Sequence, residues 1–211
     1  MKKNNLFRDA FILTMITLIA GLLLASVYSL TKDPIAKKEE QTLTASYQQV
    51  FKAADTFKST AQSKQLKRQS KQLLAKADID FGKRGVVINN ILQAYHNHKV
   101  QGWVFDLTTK DGYGGDIEVV VGVKNQQIIG TAVLKIKESA GLGQNASKES
   151  WRKQYLNKAV KVFKVVKNEN KPADDEIDAI SGATITSKAF TNAMNAALYL
   201  ANQSSEVITH E

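Results

Sequence analysis

Four hydroxyl side chains and one glycine are concentrated in residues 178–190, which have the sequence DAISGATITSKAF. This segment lies between a loop and a predicted helix that starts near Ile185. The first N–H groups of a helix lack partners within the helix, and the helix dipole places partial positive charge there. A phosphate group fits such a place, and Thr184 presents its hydroxyl to it. The types and spacing of these residues therefore allow a phosphate to be held, or carried, at Thr184.

The same residues also fit a simple helix start. Ser181 or Thr184 has the side chain of an N-cap, and Asp178 is suited to an Asx-turn. Gly182 serves both interpretations, because it lets the backbone turn sharply and lets a ligand approach closely. Ala183 adds almost no bulk while it stiffens the turn. From the local sequence alone, the cap is the favoured interpretation.

Composition excludes several other kinds of site. The chain has 211 residues and no cysteine, which rules out disulfides, thiolate metal ligands, iron–sulfur ligation and a cysteine nucleophile. His96 and His98 are predicted to be solvent-facing turn residues rather than metal ligands. The net charge is +9, but the basic residues are spread along the chain, so we expect no nucleic-acid binding. Neither a P-loop nor a complete dinucleotide fingerprint is present.

Residues 10–30 form an uncharged, mostly apolar run that is long enough to cross a bilayer as a helix. A cleaved signal peptide is the alternative, but the run exceeds the usual apolar region and lacks a small-x-small cleavage site. We therefore predict a single transmembrane helix preceded by a short cytoplasmic tail, residues 1–9. Lysines flank both ends, so charge does not set the orientation, and the short tail is the part expected to stay in the cytoplasm.

The elements that must position the site follow from residue patterns. Residues 31–84 are predicted to be a helical, basic, membrane-proximal region, with a helical pattern over 36–57 and an exposed helix or linker over 58–78. Residues 86–137 predict an antiparallel meander of about four strands, with a hairpin turn in VKNQQ. A helix over 148–158, a strand at 160–166, an acidic loop at 172–181 and a last helix follow. The fold class is therefore α+β, an antiparallel sheet with flanking helices behind one transmembrane helix.

The sequence DAISGAT matches, position by position, the pattern D-x-x-S/T-G-A-T of proteins that carry covalently bound flavin mononucleotide (FMN). The single span, the DGYGGDIEVVVGV strand region and the ESAGLG loop occur in the same order as in that family. The chain resembles the G subunit of the Rnf-type ion-translocating electron-transport complex. It is nearly as similar to the C subunit of sodium-translocating NADH:quinone reductase. The match covers roughly residues 1–35 and 85–203.

The resemblance implies that Thr184 bears FMN through a phosphoester bond, within an FMN-binding domain at 85–203. Residues 204–211 after this domain are predicted to be a polar tail. It implies that Asp178 belongs to the flavinylation motif, and that a separate flavin transferase attaches the cofactor from FAD with magnesium. The residues that we expect to surround the cofactor are Ser181, Gly182, Ala183, Glu138, Ser139, Gly141, Leu142, Gly143 and Tyr113.

Other residues are weaker candidates for cofactor contacts. Trp103 is a candidate stacking partner for the flavin, like Tyr113, although strand aromatics more often belong to a core. Lys135 or Lys137 is a candidate for offsetting negative charge on a reduced flavin. The family loop usually has E-T-P-G-L-G, whereas this chain has Ser139 and Ala140 in place of threonine and proline. This departure affects the expected loop contacts and leaves the attachment residue unchanged.

The predicted function is that of an electron-carrying subunit of a membrane-bound oxidoreductase complex that moves ions, with the other membrane subunits as partners. No independent catalytic site is expected, because no nucleophile–base pair is evident. The predicted location is the bacterial cell membrane, with the FMN domain extracytoplasmic. The alternatives are the quinone-reductase subunit, a free-standing flavoprotein for extracellular electron transfer, and a non-redox, membrane-anchored binding module in which SGAT is only a helix cap.

Overall fold

The structure is a computed structural model that describes residues 3–167 and 173–207, with side chains described for 6–167 and 173–204. The chain divides into two compact units, Met1–Thr44 and Ala45–Glu211. The second unit therefore begins well before residue 85, where the sequence places the start of the FMN-binding domain. The predicted residues 1, 2 and 208–211 of the two tails lie outside the described residues.

The elements alternate between helix and strand at both ends and form a strand meander in the middle. In chain order they are α1 (Lys3–Val50), β1 (Thr56–Lys58), α2 (Ala61–Lys76), β2 (Val86–His96), β3 (Lys99–Thr109), β4 (Ile117–Lys124), β5 (Gln127–Ile136), α3 (Glu149–Arg152), β6 (Lys164–Val166), β7 (Glu176–Asp178) and α4 (Thr184–Val207). Two short 3₁₀ turns, Gly143–Ser147 and Lys153–Tyr155, flank α3.

In the first unit, helix α1 contains the predicted span. Its segment from Leu6 onward is long and apolar enough to cross a membrane, and the side chains of residues 10–30 are exposed. The helical pattern predicted over 36–57 is present as far as Val50, as a continuation of the same helix rather than as a separate element.

In the second unit, strands β1 to β5 form one antiparallel sheet in sequential order. Two of its hairpins turn through residue pairs with positive φ, Asn97–His98 and Asn125–Gln126, as tight type I′ connections require. The hairpin predicted in VKNQQ is thereby confirmed. Both His96 and His98 are exposed as predicted, but only His98 lies in the turn, because His96 is the last residue of β2. The edge strand β1 was not predicted, because three residues with one half-buried side chain carry almost no periodicity.

The core of the second unit lies between the sheet and α4. The alternating residues predicted for β4, Ile117, Val119, Val121 and Val123, are all buried. The predicted apolar stripe of α4 is buried as well, including Phe190, Met194 and Leu198. The last helix and its orientation in the core are therefore confirmed.

Helix α2 is neither a linker nor fully exposed. Thr60 and Ser63 form a capping box at its start, with each side chain accepting the backbone N–H of the other residue. Leu66 is 3% exposed and joins the core of the second unit. The sequence obscured this because only one large apolar residue is fully buried among many lysines and glutamines.

The region after the meander differs most from expectation. The helix predicted over 148–158 is limited to Glu149–Arg152 and the adjacent 3₁₀ turn. The strand predicted over 160–166 is limited to Lys164–Val166. It pairs in parallel with β7, which lies within the segment predicted to be an acidic loop. The first four residues of the polar tail predicted over 204–211 belong to α4, which continues to Val207, and Ser204 is buried.

Candidate functional site

A tight turn connects β7 to α4. The Ala183 N–H donates to the Ile180 carbonyl at 2.9 Å, which closes a four-residue turn. Gly182 adopts a φ of +72° within it, a conformation that side-chain-bearing residues rarely adopt. A Cβ at Gly182 would also lie 2.9 Å from Cδ2 of Leu142. Glycine is therefore required both by the backbone conformation and by the loop that packs against it.

No side chain among the described residues caps the start of helix α4. The Ala183 carbonyl accepts the Ser187 N–H at 3.0 Å, which makes Ala183 the N-cap residue and Thr184 the first helical residue. Ala183 has no side-chain acceptor, so the interpretation of Ser181 or Thr184 as the N-cap is wrong. The Ser187 hydroxyl instead accepts the Ile180 N–H at 2.9 Å and donates to the Ala183 carbonyl.

The first N–H groups of α4 remain open. Within the part of the chain that the structure describes, no acceptor is bound to the backbone N–H of Thr184, Ile185 or Thr186. Three adjacent donors at the positive end of a 24-residue helix attract an anion. The half-buried Thr184 side chain lies at the same point, beside the exposed Ser181 and Gly182.

A cavity of about 590 Å³ lies beside this helix start. Its walls come from the end of β6, the turn before α4, the first turn of α4, the loop after β5 and the loop after β3. The lining residues are Tyr113, Glu138, Ser139, Leu142, Gly143, Lys167, Ala179, Ile180, Ser181, Gly182, Ala183, Thr184, Ile185 and Thr186.

Glu138 joins the two glycine-containing loops of this cavity. Its side chain is buried, and its Oε1 accepts the Tyr113 N–H at 2.8 Å. A Cβ at Gly143 would lie 2.7 Å from Oε2 of Glu138, and a Cβ at Gly112 would lie 3.1 Å from Oε1. The GYGG and GLG motifs thus lack side chains where the Glu138 carboxylate passes between them.

Thr184 and the residues expected to surround the cofactor line this cavity, with the exception of Gly141; the motif residue Asp178 does not line it either. Gly141 has a φ of +76°, and its carbonyl accepts Nδ2 of Asn145 at 2.8 Å, so it shapes the loop from outside the cavity. Asp178 lies on β7, where its carbonyl accepts the Trp151 indole N–H at 2.8 Å. Neither residue lines the cavity.

Of the aromatic and basic candidates, only Tyr113 lines the cavity. Tyr113 is 73% exposed at the cavity, whereas Trp103 lies within β3, next to Phe105, and does not line it. Lys135 and Lys137 line a different cavity of about 300 Å³, together with Asp116 and Glu118. Their predicted place next to the flavin is therefore not supported by the geometry.

Sequence analysis missed Lys167 and Thr186 at the cavity. Lys167 follows β6, which is distant in sequence from the SGAT turn and comes next to it only through the parallel β6–β7 pair. Thr186 is buried on the first turn of α4, and its Oγ1 would lie 2.8 Å from a Cβ at Gly143. For Thr186 a signal was available, because it follows Thr184 by two residues in the same hydroxyl-rich segment.

Comparison with known families agrees with this geometry. The model of the FMN-binding domain matches residues 112–199, which include every residue that lines the cavity. The model of the RnfG N-terminal region matches residues 1–50.

Similar proteins extend over almost the whole chain. The G subunit of the Na(+)-translocating ferredoxin:NAD(+) oxidoreductase complex of Acetobacterium woodii is 30% identical, with 90% of this chain and 88% of that protein covered. The G subunit of the proton-translocating complex of Clostridium ljungdahlii is 29% identical, with 93% and 91% covered. The crystal structure of Shewanella oneidensis NqrC superposes with a TM-score of 0.50 at 22% identity, over 62% of this chain and 68% of that one, which shows a shared fold.

The predicted fold class and family are thereby confirmed, and the apolar helix α1 agrees with a location in the membrane. On the identity and coverage of these relatives, the chain belongs to the G-subunit family of Rnf-type ion-translocating oxidoreductase complexes.

Proposed function

We propose that this chain carries electrons within a membrane-bound, ion-translocating oxidoreductase complex through FMN attached to Thr184 by a phosphoester bond. The observation that carries the proposal is the position of the Thr184 hydroxyl at the open N–H groups of α4, on the wall of the cavity. Its relatives are subunits of such complexes, which supports the same partners here, namely the other membrane subunits.

The residues present fit a phosphate-linked flavin. The open N–H groups of Thr184, Ile185 and Thr186 would hold phosphate oxygens, and Gly182 leaves the turn open to close approach. The exposed Tyr113 ring would stack on the flavin ring system. When bound, the flavin supplies the redox chemistry, while the protein holds it and adjusts its potential.

Attachment requires a second protein in this proposal. The Thr184 oxygen would bond to the phosphorus of the FMN half of FAD, AMP would leave, and the hydroxyl proton would be released. In the part of the chain with described side chains, no carboxylate or imidazole is hydrogen-bonded to Thr184 to take that proton. A flavin transferase with magnesium would therefore supply the base and activate the phosphate.

We further propose that the nine-residue tail is cytoplasmic, that residues 10–30 span the membrane, and that the FMN-binding domain is extracytoplasmic. Support comes from the length and apolar character of α1. Because the chain has no cysteine, a single Lys161→Cys substitution would give a unique label site in the FMN-binding domain. Labelling in spheroplasts by a membrane-impermeant maleimide is expected, and labelling only after lysis would contradict this orientation.

The attachment is tested by the intact mass of the full chain after co-expression with a flavin transferase. We expect a yellow protein heavier by one FMN less one water, and no added mass in Thr184→Ala. Ser59→Ala, which removes an exposed hydroxyl outside the cavity, is the control and should keep the added mass. An unmodified wild-type chain, or a modified Thr184→Ala variant, would refute the attachment.

A further inference from the structure

Lys167 is placed next to the proposed attachment site by backbone pairing. Strand β6 pairs in parallel with β7, with Val166 opposite Asp178. The Ala179 N–H then donates to the Val166 carbonyl at 2.9 Å. This bond fixes the backbone immediately before Lys167 beside the start of the turn that leads to Thr184. Lys167 is thus held at the cavity by the same strand pair that positions the turn.

Two charged side chains line this cavity among the residues that the structure describes, Lys167 and Glu138. Glu138 is the buried member of this pair: it is 8% exposed, and its Oε1 accepts the Tyr113 N–H at 2.8 Å. Lys167 is exposed, and it forms no ion pair with any described residue. The cavity wall therefore combines one buried acidic side chain with one exposed basic side chain that has no ionic partner among the described residues.

The other lysines near this end of the sheet are engaged elsewhere. Lys135 and Lys137 line the smaller cavity beside Asp116 and Glu118. Lys110 forms an ion pair with Asp116 on that same side. Among the described residues, Lys167 is thus the basic side chain that lines the cavity of Thr184.

We propose that Lys167 is the charge that stabilises the reduced form of the flavin in this cavity, and that Glu138 opposes it. This inference rests on the proposed FMN attachment. Reduction adds two electrons and one proton to the flavin, so its ring system gains one negative charge. A nearby cation favours the form with the added negative charge, and a nearby anion disfavours it. Lys167 therefore raises the midpoint potential, and Glu138 lowers it.

The experiment is a spectroelectrochemical titration of the full flavinylated chain in detergent micelles, with dithionite as the reductant. We expect Lys167→Gln to change the reduction equilibrium about tenfold, which lowers the midpoint potential by about 30 mV for a two-electron couple. Lys167→Arg should keep the wild-type potential. Lys161→Gln, which removes an exposed lysine outside the cavity, is the matched control and should also leave it unchanged.

Glu138→Gln is a second variant, and its expected shift in midpoint potential has the opposite sign. The amide oxygen of glutamine can still accept the Tyr113 N–H, so the loops stay joined while the negative charge is removed. We expect a higher potential, whereas simple loosening of the structure would not move the two variants in opposite directions.

The outcomes separate this inference from the function on which it rests. A flavinylated Lys167→Gln chain with the same midpoint potential as Lys161→Gln would overturn the proposed role of Lys167. A midpoint potential below that of the wild type in Glu138→Gln would overturn the proposed effect of Glu138. If Glu138→Gln fails to fold, the Lys167 comparison decides alone. A wild-type chain without FMN mass would instead refute the proposed attachment.

Discussion

Asp106 on β3 is a buried carboxyl whose ionisation should limit the stability of the second unit. It is 5% exposed, and its Oδ1 accepts Nδ2 of Asn89 at 3.0 Å. Burial raises the pKa of the Asp106 carboxyl to about 6 from its ordinary 3.8, with the negative charge of Glu118 adding to the effect, against the Asn89 hydrogen bond and the positive charge of Lys67. We therefore expect Asp106→Asn to stabilise the protein at neutral pH.

The magnitude follows from the difference between the folded and unfolded pKa values of Asp106. The folded value of about 6 lies above 3.8, so between these two pH values the folded protein keeps a proton that the unfolded chain has released. The unfolding free energy therefore contains the full favourable contribution of the protonated Asp106 carboxyl below pH 3.8. This contribution is lost as the pH rises through about 6. The loss amounts to about 3 kcal/mol of unfolding free energy at pH 8. An unpaired amide N–H in the asparagine variant costs about 1 kcal/mol, which leaves a net gain of about 2 kcal/mol.

The assay is urea unfolding of the full chain in detergent micelles between pH 4 and pH 8, followed by tryptophan fluorescence. Trp103 and Trp151, the two tryptophans of the chain, both lie in the second unit and report on its unfolding. The difference in unfolding free energy between Asp106→Asn and wild type should increase from pH 4 through about pH 6 and then level off. Asp174→Asn, at an exposed carboxyl, is the control and should show no such trend. A difference that does not depend on pH would refute this account of Asp106.

Three glycine substitutions test the packing around the site and the sheet. Gly143→Ala should lower the unfolding free energy by about 1–3 kcal/mol and reduce FMN incorporation measured by intact mass, because the new methyl group would lie 2.7 Å from the held Glu138 carboxylate. Gly141→Ala meets no atom within 4 Å and should cost about 1–2 kcal/mol from its φ of +76° while FMN incorporation is kept. Gly130→Ala should cost about 3 kcal/mol in urea unfolding, since its Cβ would lie 2.2 Å from the Val50 carbonyl oxygen. Equal FMN incorporation in Gly143→Ala and Gly141→Ala would contradict the close fit at Glu138.

The site shows why short motifs were informative in this chain. Gly182 is required by its backbone conformation, Gly112 by the Gly115 carbonyl oxygen of its own motif, and Gly143 by the close approach of the Glu138 carboxylate. Glu138 connects loops that are separated by the whole of β4 and β5. Each motif is therefore local in sequence, but the glycine at 143 is explained by a contact that forms only in the folded unit.

The sequence by itself determined the features that depend on local chemistry and periodicity. The apolar run of α1, the alternation in β4, the hairpin turns and the apolar stripe of α4 each follow from patterns within about twenty residues. The SGAT segment likewise marked the end of α4 at which the cavity lies. The start of the helix was misassigned by one residue, because Thr184 has the side chain of an N-cap but occupies the first helical position.

Only the tertiary structure decided the features that depend on contacts between distant segments. The burial of Leu66 and the pairing of β1 come from docking against the sheet, which leaves little trace in a polar sequence. The parallel β6–β7 pair places Lys167 at the cavity that Thr184 also lines, a position that no periodic pattern in the sequence indicates, whereas Lys135 and Lys137 lie at another cavity. Alternation within a strand fixes the face of the sheet on which a side chain lies. The residues that this side chain contacts depend on how the whole unit packs.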